Sequence, residues 1–174
     1  MPRVKLSTGS KPILTQKQVS AIKVIYFDYG GSHSSVVAAN IHAGKLDSQE
    51  NPPIEEIFNL PYFDKTQKDD FGKIRRTGTD PEGNDIYVLG TKNGNSGGLL
   101  TSLVKAQGAA HQFRFVDTMP YVNMWLRIGG WLSRGLSLPF LGRPLIKTGI
   151  KQAYPKLKTL VREAGKTRLM EVLE

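Results

Sequence analysis

Residues 28 to 35 read Asp-Tyr-Gly-Gly-Ser-His-Ser-Ser and bring a carboxylate, an imidazole and three serine hydroxyls into one short run. What such a set can do depends on its flanks. "IKVIYFD" before it is β-branched and aromatic, the pattern of a buried strand, and "SSVVAANIHAG" after it reads as a helix stopped by Gly44. The first N–H groups of a helix lack intrahelical partners and carry a partial positive charge, so such a junction can hold phosphate or carboxylate if the turn admits it. Gly30 and Gly31 supply that access. Ser32, Ser34 and Ser35 can cap the helix or donate to a ligand, His33 can donate or exchange a proton near neutral pH, and Asp28 can hold a water or a hydrated cation. The competing reading is a tight turn with a serine cap and an exposed histidine.

Other schemes fit less well. No lysine lies in the turn, so the Gly-Lys-Ser/Thr ending of a Walker loop is missing and nucleotide hydrolysis of that type is not expected. His33, His42 and His111 have no close His/carboxylate ligand spacing, so no zinc site is expected. A triad of Ser34, His33 and Asp117 fails because neighbours at a helix start point in diverging directions. "FRFVDT" ends on Asp117 and Thr118, which suits either a carboxylate positioning a metal-bound water beside a phosphate loop or a plain helix cap. "KNGNSGG" is read as a turn and cap that binds nothing. Arg127 and Arg134 are seven apart, share a face on a continuous helix and can point together at an anion, although Gly129-Gly130 can break that helix. Their segment, "PYVNMWLRIGGWLSRGLSLPFLGRPLIKTG", reads first as a core helix, second as an arginine lid over the loop, and third as a surface for anionic membrane.

The elements that must position these groups follow from pattern. "PPIEEIFNLP" is a short helix with proline in its first turn, and "KIRRTG" and "NDIYVLGT" form a β-hairpin around "TDPEG". "LLTSLVKAQG" is a helix and "FRFVD" a strand, and the chain beyond Pro120 is mostly helical, punctuated by Pro139, Gly142-Arg143-Pro144 and Pro155. Helices that follow strands apolar throughout predict an α/β fold of three compact layers, with a mostly parallel or mixed sheet, a β-hairpin and a helical C-terminal part. Ligands in such sheets sit beyond the carboxyl ends of the strands, where "DYGGSHSS", "TKNGNSGG" and "DTMPYVN" converge.

Composition bounds the function. A chain of 174 residues, 39% hydrophobic, can bury one core, and the expected division is a flexible basic extension over 1–20 and a single domain over 21–174 with a basic helical end. With no cysteine and no apolar run of membrane-spanning length, the expected location is the cytoplasm. Of the net charge of +9, residues 1–23 carry +5, residues 24–118 carry −3 and residues 119–174 carry +7. Basic ends suit an anionic partner. Two function classes follow: a protein that binds a phosphorylated small molecule or nucleotide at the glycine-serine loop, or a non-catalytic interaction module that uses its basic ends and Trp/Arg segment on a membrane surface or nucleic acid. The residues name no cofactor, catalytic group or oligomeric state.

"YFDYGGSHSSVVAANIHAG", "LPYFD", "GNDIYVLG", "FVDTMPYVNMWLRIGGWLSRGL" and "LGRPL" resemble an uncharacterised bacterial family, a domain of unknown function found mainly in Firmicutes. The resemblance runs from Lys23 to Tyr154 and leaves the basic start and the final helix outside it. It implies a small bacterial cytosolic protein and brings no activity, cofactor or catalytic residue with it.

Overall fold

The computed structural model describes residues 21–46, 51–93 and 96–173, with side chains as far as residue 166. The expected basic extension over 1–20 lies outside the described residues. Strand β1 (Lys23–Asp28) is followed by helix α1 (Ser34–His42) and the short helix α2 (Ile54–Asn59). Strands β2 (Arg75–Thr79) and β3 (Asp85–Gly90) come next, then α3 (Gly97–Ala106), β4 (Phe113–Asp117), α4 (Met124–Gly130) and α5 (Pro139–Leu173). The sheet runs β2-β3-β1-β4, with β1 parallel to both β3 and β4 and β2 antiparallel to β3. The expected α/β fold, hairpin and helical C-terminal part are therefore present.

Alternation along β1 divides the interior in two. Val24 and Tyr26 face a large core built with Val36, Ile41 and the α5 residues Ile146, Ile150 and Leu157. Ile25 and Phe27 face a smaller cluster with Leu89 and Leu100. Each fully buried apolar side chain contributes about 1.5–3 kcal/mol, so the face carrying α1 and α5 supplies most of the stability. The other layer is thin: α3 buries no residue and leaves Leu99 and Leu103 exposed.

Within α5, Pro144 and Pro155 do not stop the helix. An interior proline costs about 3 kcal/mol, but buried Ile146, Ile150, Ala153, Tyr154, Leu157 and Val161 recur at helical spacing and outweigh it. Likewise Gly129 does not break α4. It buries against α5, where a Cβ on it would lie 2.8 Å from the Ile146 nitrogen, and Gly149 meets Leu126 across the same crossing. Beyond Gly130 the helix widens into a π-helical turn over Trp131–Gly135. No helix among the described residues is long and apolar enough to cross a membrane.

From β1 the chain goes to β3 on one side, then crosses by α3 to β4 on the other. The carboxyl ends of β1, β3 and β4 thus converge on a topological switch point, the usual ligand position in open α/β sheets.

Candidate functional site

The Asp28 side chain at the end of β1 is buried, and it turns back into the start of α1. One carboxylate oxygen accepts the Gly31 N–H; the other accepts the Ser34 hydroxyl at 2.7 Å and the Ser35 N–H at 2.9 Å. Thr118 sits behind, donating its hydroxyl to the Phe27 carbonyl at 3.0 Å and lying 3.1 Å from Ser34 Oγ. The junction therefore holds an anion supplied by the chain itself. Donors that a phosphate at a helix start would take are committed to Asp28, and a ligand must use what remains. Among the described residues, the amides of Ser32, His33 and Ser34 meet no acceptor.

Gly31 has a packing task. Its φ of +61° lies in the left-handed region, and a Cβ there would come within 2.6 Å of the Gly90 nitrogen. It lets the turn lie directly on the end of β3. Its carbonyl accepts from Arg75 Nη2 at 2.6 Å and from Thr66 Oγ1 at 2.9 Å, which clamps the turn from the α2–β2 side.

His33 precedes α1 but does not cap it; its ring reaches Asp64, with Nε2 3.3 Å from Oδ1. Asp64 is buried and has a φ of +52°, and its N–H donates to the Ser32 carbonyl at 3.1 Å. Ser133, in the π-helical turn, lies 2.7 and 2.8 Å from the two Asp64 carboxylate oxygens, and Arg143 Nε lies 3.4 Å from Oδ2. Arg134 Nη1 donates to the Asp64 carbonyl at 2.9 Å. Burial pushes the Asp64 carboxyl up, but hydrogen bonds from His33 and Ser133, the electrostatic pull of His33 and the Arg143 contact outweigh it and hold its pKa below the usual value. Asp64 thus joins the turn after β1 to the π-helical turn and α5.

Over these groups opens a cleft of about 950 Å³. Asp28, Gly30, Ser32, His33 and Ser34 form its floor, and Arg127, Gly130, Trp131 and Arg134 form one wall. Lys68 and Lys92 also line it, and Tyr29, Phe71 and Met119 supply apolar surface. Lys92 Nζ lies 4.9 Å from the centre of the Phe71 ring. Among the described residues, none of Lys68, Lys92, Arg127 and Arg134 meets a carboxylate. The Tyr29 and Trp131 side chains are 54% and 59% exposed, leaving ring surface available beside those cations.

Seven of the eleven residues singled out from sequence thus line one cleft: Asp28, Gly30, Ser32, His33, Ser34, Arg127 and Arg134. Gly31, Ser35, Asp117 and Thr118 are not among its lining residues. Ser35 is fully buried in α1, and Asp117 accepts the Met119 N–H at 2.8 Å, a turn at the end of β4. Sequence reasoning misses Asp64, Ser133, Arg143 and Lys92. "LPYFD" and "LGRPL" carry Asp64 and Arg143 into the family resemblance, but no spacing rule ties either residue to His33. Among the described residues, no group of three or more His, Cys, Asp or Glu side chains is placed to hold a metal ion.

Comparison with curated proteins gives no match, and comparison with solved structures gives none. A family model does match, over residues 23–166, which takes in the β1–α1 junction, both sides of the cleft and most of α5, twelve residues past the Tyr154 limit expected from the motifs. The chain therefore belongs to the family described as protein of unknown function (DUF3189).

Proposed function

We propose that the protein binds a phosphorylated small molecule or nucleotide in the cleft above the β1–α1 junction. The observation that carries this reading is the convergence of Lys68, Lys92, Arg127 and Arg134 on one cleft without a carboxylate partner among the described residues, next to exposed Tyr29 and Trp131 rings. Four cations against the two lining carboxylates, Asp28 and Asp69, leave the cleft net positive, which raises the local concentration of anions, and flat rings beside them suit a ligand with an apolar or aromatic body. The anion lies outside Asp28, against the remaining α1 amides and the arginines, not in the donors Asp28 occupies. Calorimetric titration with inorganic phosphate, pyrophosphate and a nucleoside diphosphate tests this. Arg127→Ala and Arg134→Ala should each weaken binding about tenfold or more, the charge-assisted hydrogen bond being the interaction lost, and added salt should weaken the wild type. Binding that is absent, or unchanged in both variants, would overturn the proposal.

A second reading, an interaction module on anionic membrane, draws on the outer surface of α4 and α5. Met124, Trp125, Ile128, Phe140 and Leu141 are exposed there, and Lys147, Lys151 and Lys156 are exposed further along α5. Aromatic and aliphatic side chains flanked by cations are the pattern of an interfacial surface. Both tryptophans of the chain, Trp125 and Trp131, lie on this segment, so their fluorescence reports contact directly. Vesicles containing phosphatidylserine should shift the emission to the blue, and neutralising Lys147, Lys151, Lys156 and Lys158 should abolish the shift while Arg127→Ala leaves it in place. Emission unmoved by such vesicles removes the reading.

A further inference from the structure

Resting on the reading of the cleft as an anion site, we propose that His33 is a phosphoryl acceptor, its Nδ1 taking the phosphoryl group from a small donor bound in the cleft while Asp64 acts as the positioning residue. The geometry separates the two ring nitrogens. Nε2 faces the buried carboxylate of Asp64 at 3.3 Å, whose oxygens also take the Ser133 hydroxyl. A carboxylate accepts only, so the imidazole proton belongs on Nε2 and the lone pair on Nδ1. Among the described residues Nδ1 has no hydrogen-bond partner, and the ring is 13% exposed. Gly130, which lines the cleft, borders this edge: a Cβ there would lie 3.1 Å from Cε1 and 3.3 Å from Nδ1. A side chain at 130 would press on the nucleophilic edge.

The hydroxyls on either side of His33 in the chain are already engaged. Ser34 donates to Asp28, and Ser32 Oγ accepts the Thr66 N–H at 3.3 Å; both are buried. Arg127 and Arg134 line the wall that contains Gly130, where they can meet the equatorial oxygens of a phosphoryl group approaching Nδ1.

The step balances without a further reactant. The donor is a phosphoric anhydride, an acyl phosphate or a phosphoramidate. The Nδ1 lone pair forms the P–N bond as the donor's bond from phosphorus to its leaving group breaks; the leaving atom keeps that electron pair and takes a proton from water. The ring keeps its Nε2 proton and becomes cationic, and Asp64, 3.3 Å away, offsets that charge.

The full chain treated with potassium phosphoramidate should gain one phosphoryl group, labile to acid and stable to alkali, with a phosphorus NMR signal assigning it to Nδ1. His33→Gln should abolish labelling in a chain that still unfolds cooperatively on heating. If that variant does not fold, peptide mapping of the labelled wild type at alkaline pH locates the group instead. Asp64→Asn should slow labelling about tenfold or more with phosphate affinity little changed, the split expected of a positioning residue. Gly130→Ala should slow it by covering the ring edge. An unlabelled wild-type chain that still binds phosphate overturns the transfer step and leaves the binding proposal intact. A label on Nε2 or on another residue also overturns the assignment, and a chain that neither binds phosphate nor is labelled loses both proposals.

Discussion

Replacing Asp28 by alanine should cost about 3–5 kcal/mol of folding stability, because the Gly31 and Ser35 amides and the Ser34 hydroxyl all lose their common acceptor inside the protein. Against a typical total of about 5–15 kcal/mol, such a loss leaves the chain marginal at best. Asp28→Asn keeps one oxygen acceptor but adds two donors to a place already full of them, so its cost should lie between wild type and alanine. Denaturant unfolding at neutral pH measures both. A loss below about 1 kcal/mol for Asp28→Ala, the net worth of one ordinary hydrogen bond, would show that the carboxylate does not organise the junction.

Gly142→Ala should be nearly as damaging, and for a different reason. Gly142 sits where α5 crosses α4, and a Cβ there runs into the Gly129 carbonyl oxygen and would stand 2.7 Å from both the backbone nitrogen and Cβ of Ser133. These atoms belong to the frame of a packed helix and cannot swing aside, so overpacking should cost about 3 kcal/mol. The displacement also pulls Ser133 from Asp64, so the cleft should lose affinity for phosphate along with stability. A Cβ added at Gly165, in the same helix, would meet nothing within 4 Å. There Gly165→Ala should stabilise by about 0.5–1 kcal/mol through helix propensity alone. Thermal and denaturant unfolding of the two variants should therefore move in opposite directions. A neutral Gly142→Ala would mean that the crossing is looser than its geometry states.

The contrast between the two glycines shows where legibility in the sequence stops. Local signals carry the fold well: the β-branched run of β1, the Asp-Pro-Glu-Gly loop of the hairpin and the helix after Ser32-His33 all depend on neighbours along the chain, and all form. Pro144 and Pro155 mislead because the breaking tendency of proline is local, while the apolar stripe that overrides it depends on packing against α1 and α4. Gly31 is legible as a special position but not as a packing one, since its constraint comes from Gly90. Asp28 is legible as a group at the strand end, but the direction of its carboxylate, back into its own turn, depends on a rotamer that spacing does not specify. Asp64 is the hardest, because it lies 31 residues from His33 and 69 from Ser133 and only the closed fold brings the three together.

The carboxylate that fills the α1 start also bears on how fast the cleft can exchange its contents. In a loop whose amides wait for a phosphate, the empty form is frayed, and each arrival or departure must order or release backbone on the slower timescale of loop motion. Here Asp28 and Arg75 hold the backbone on both sides of the turn. Beside the fixed amides of Ser32, His33 and Ser34, the groups that move to meet a ligand are exposed side chains such as Arg127, Lys68 and Lys92, which reorient in picoseconds to nanoseconds. Residence time in such a site is set by the strength of those contacts and not by a conformational gate, so the amides of Gly31 and Ser35 should exchange with deuterium equally slowly whether the cleft is filled or empty.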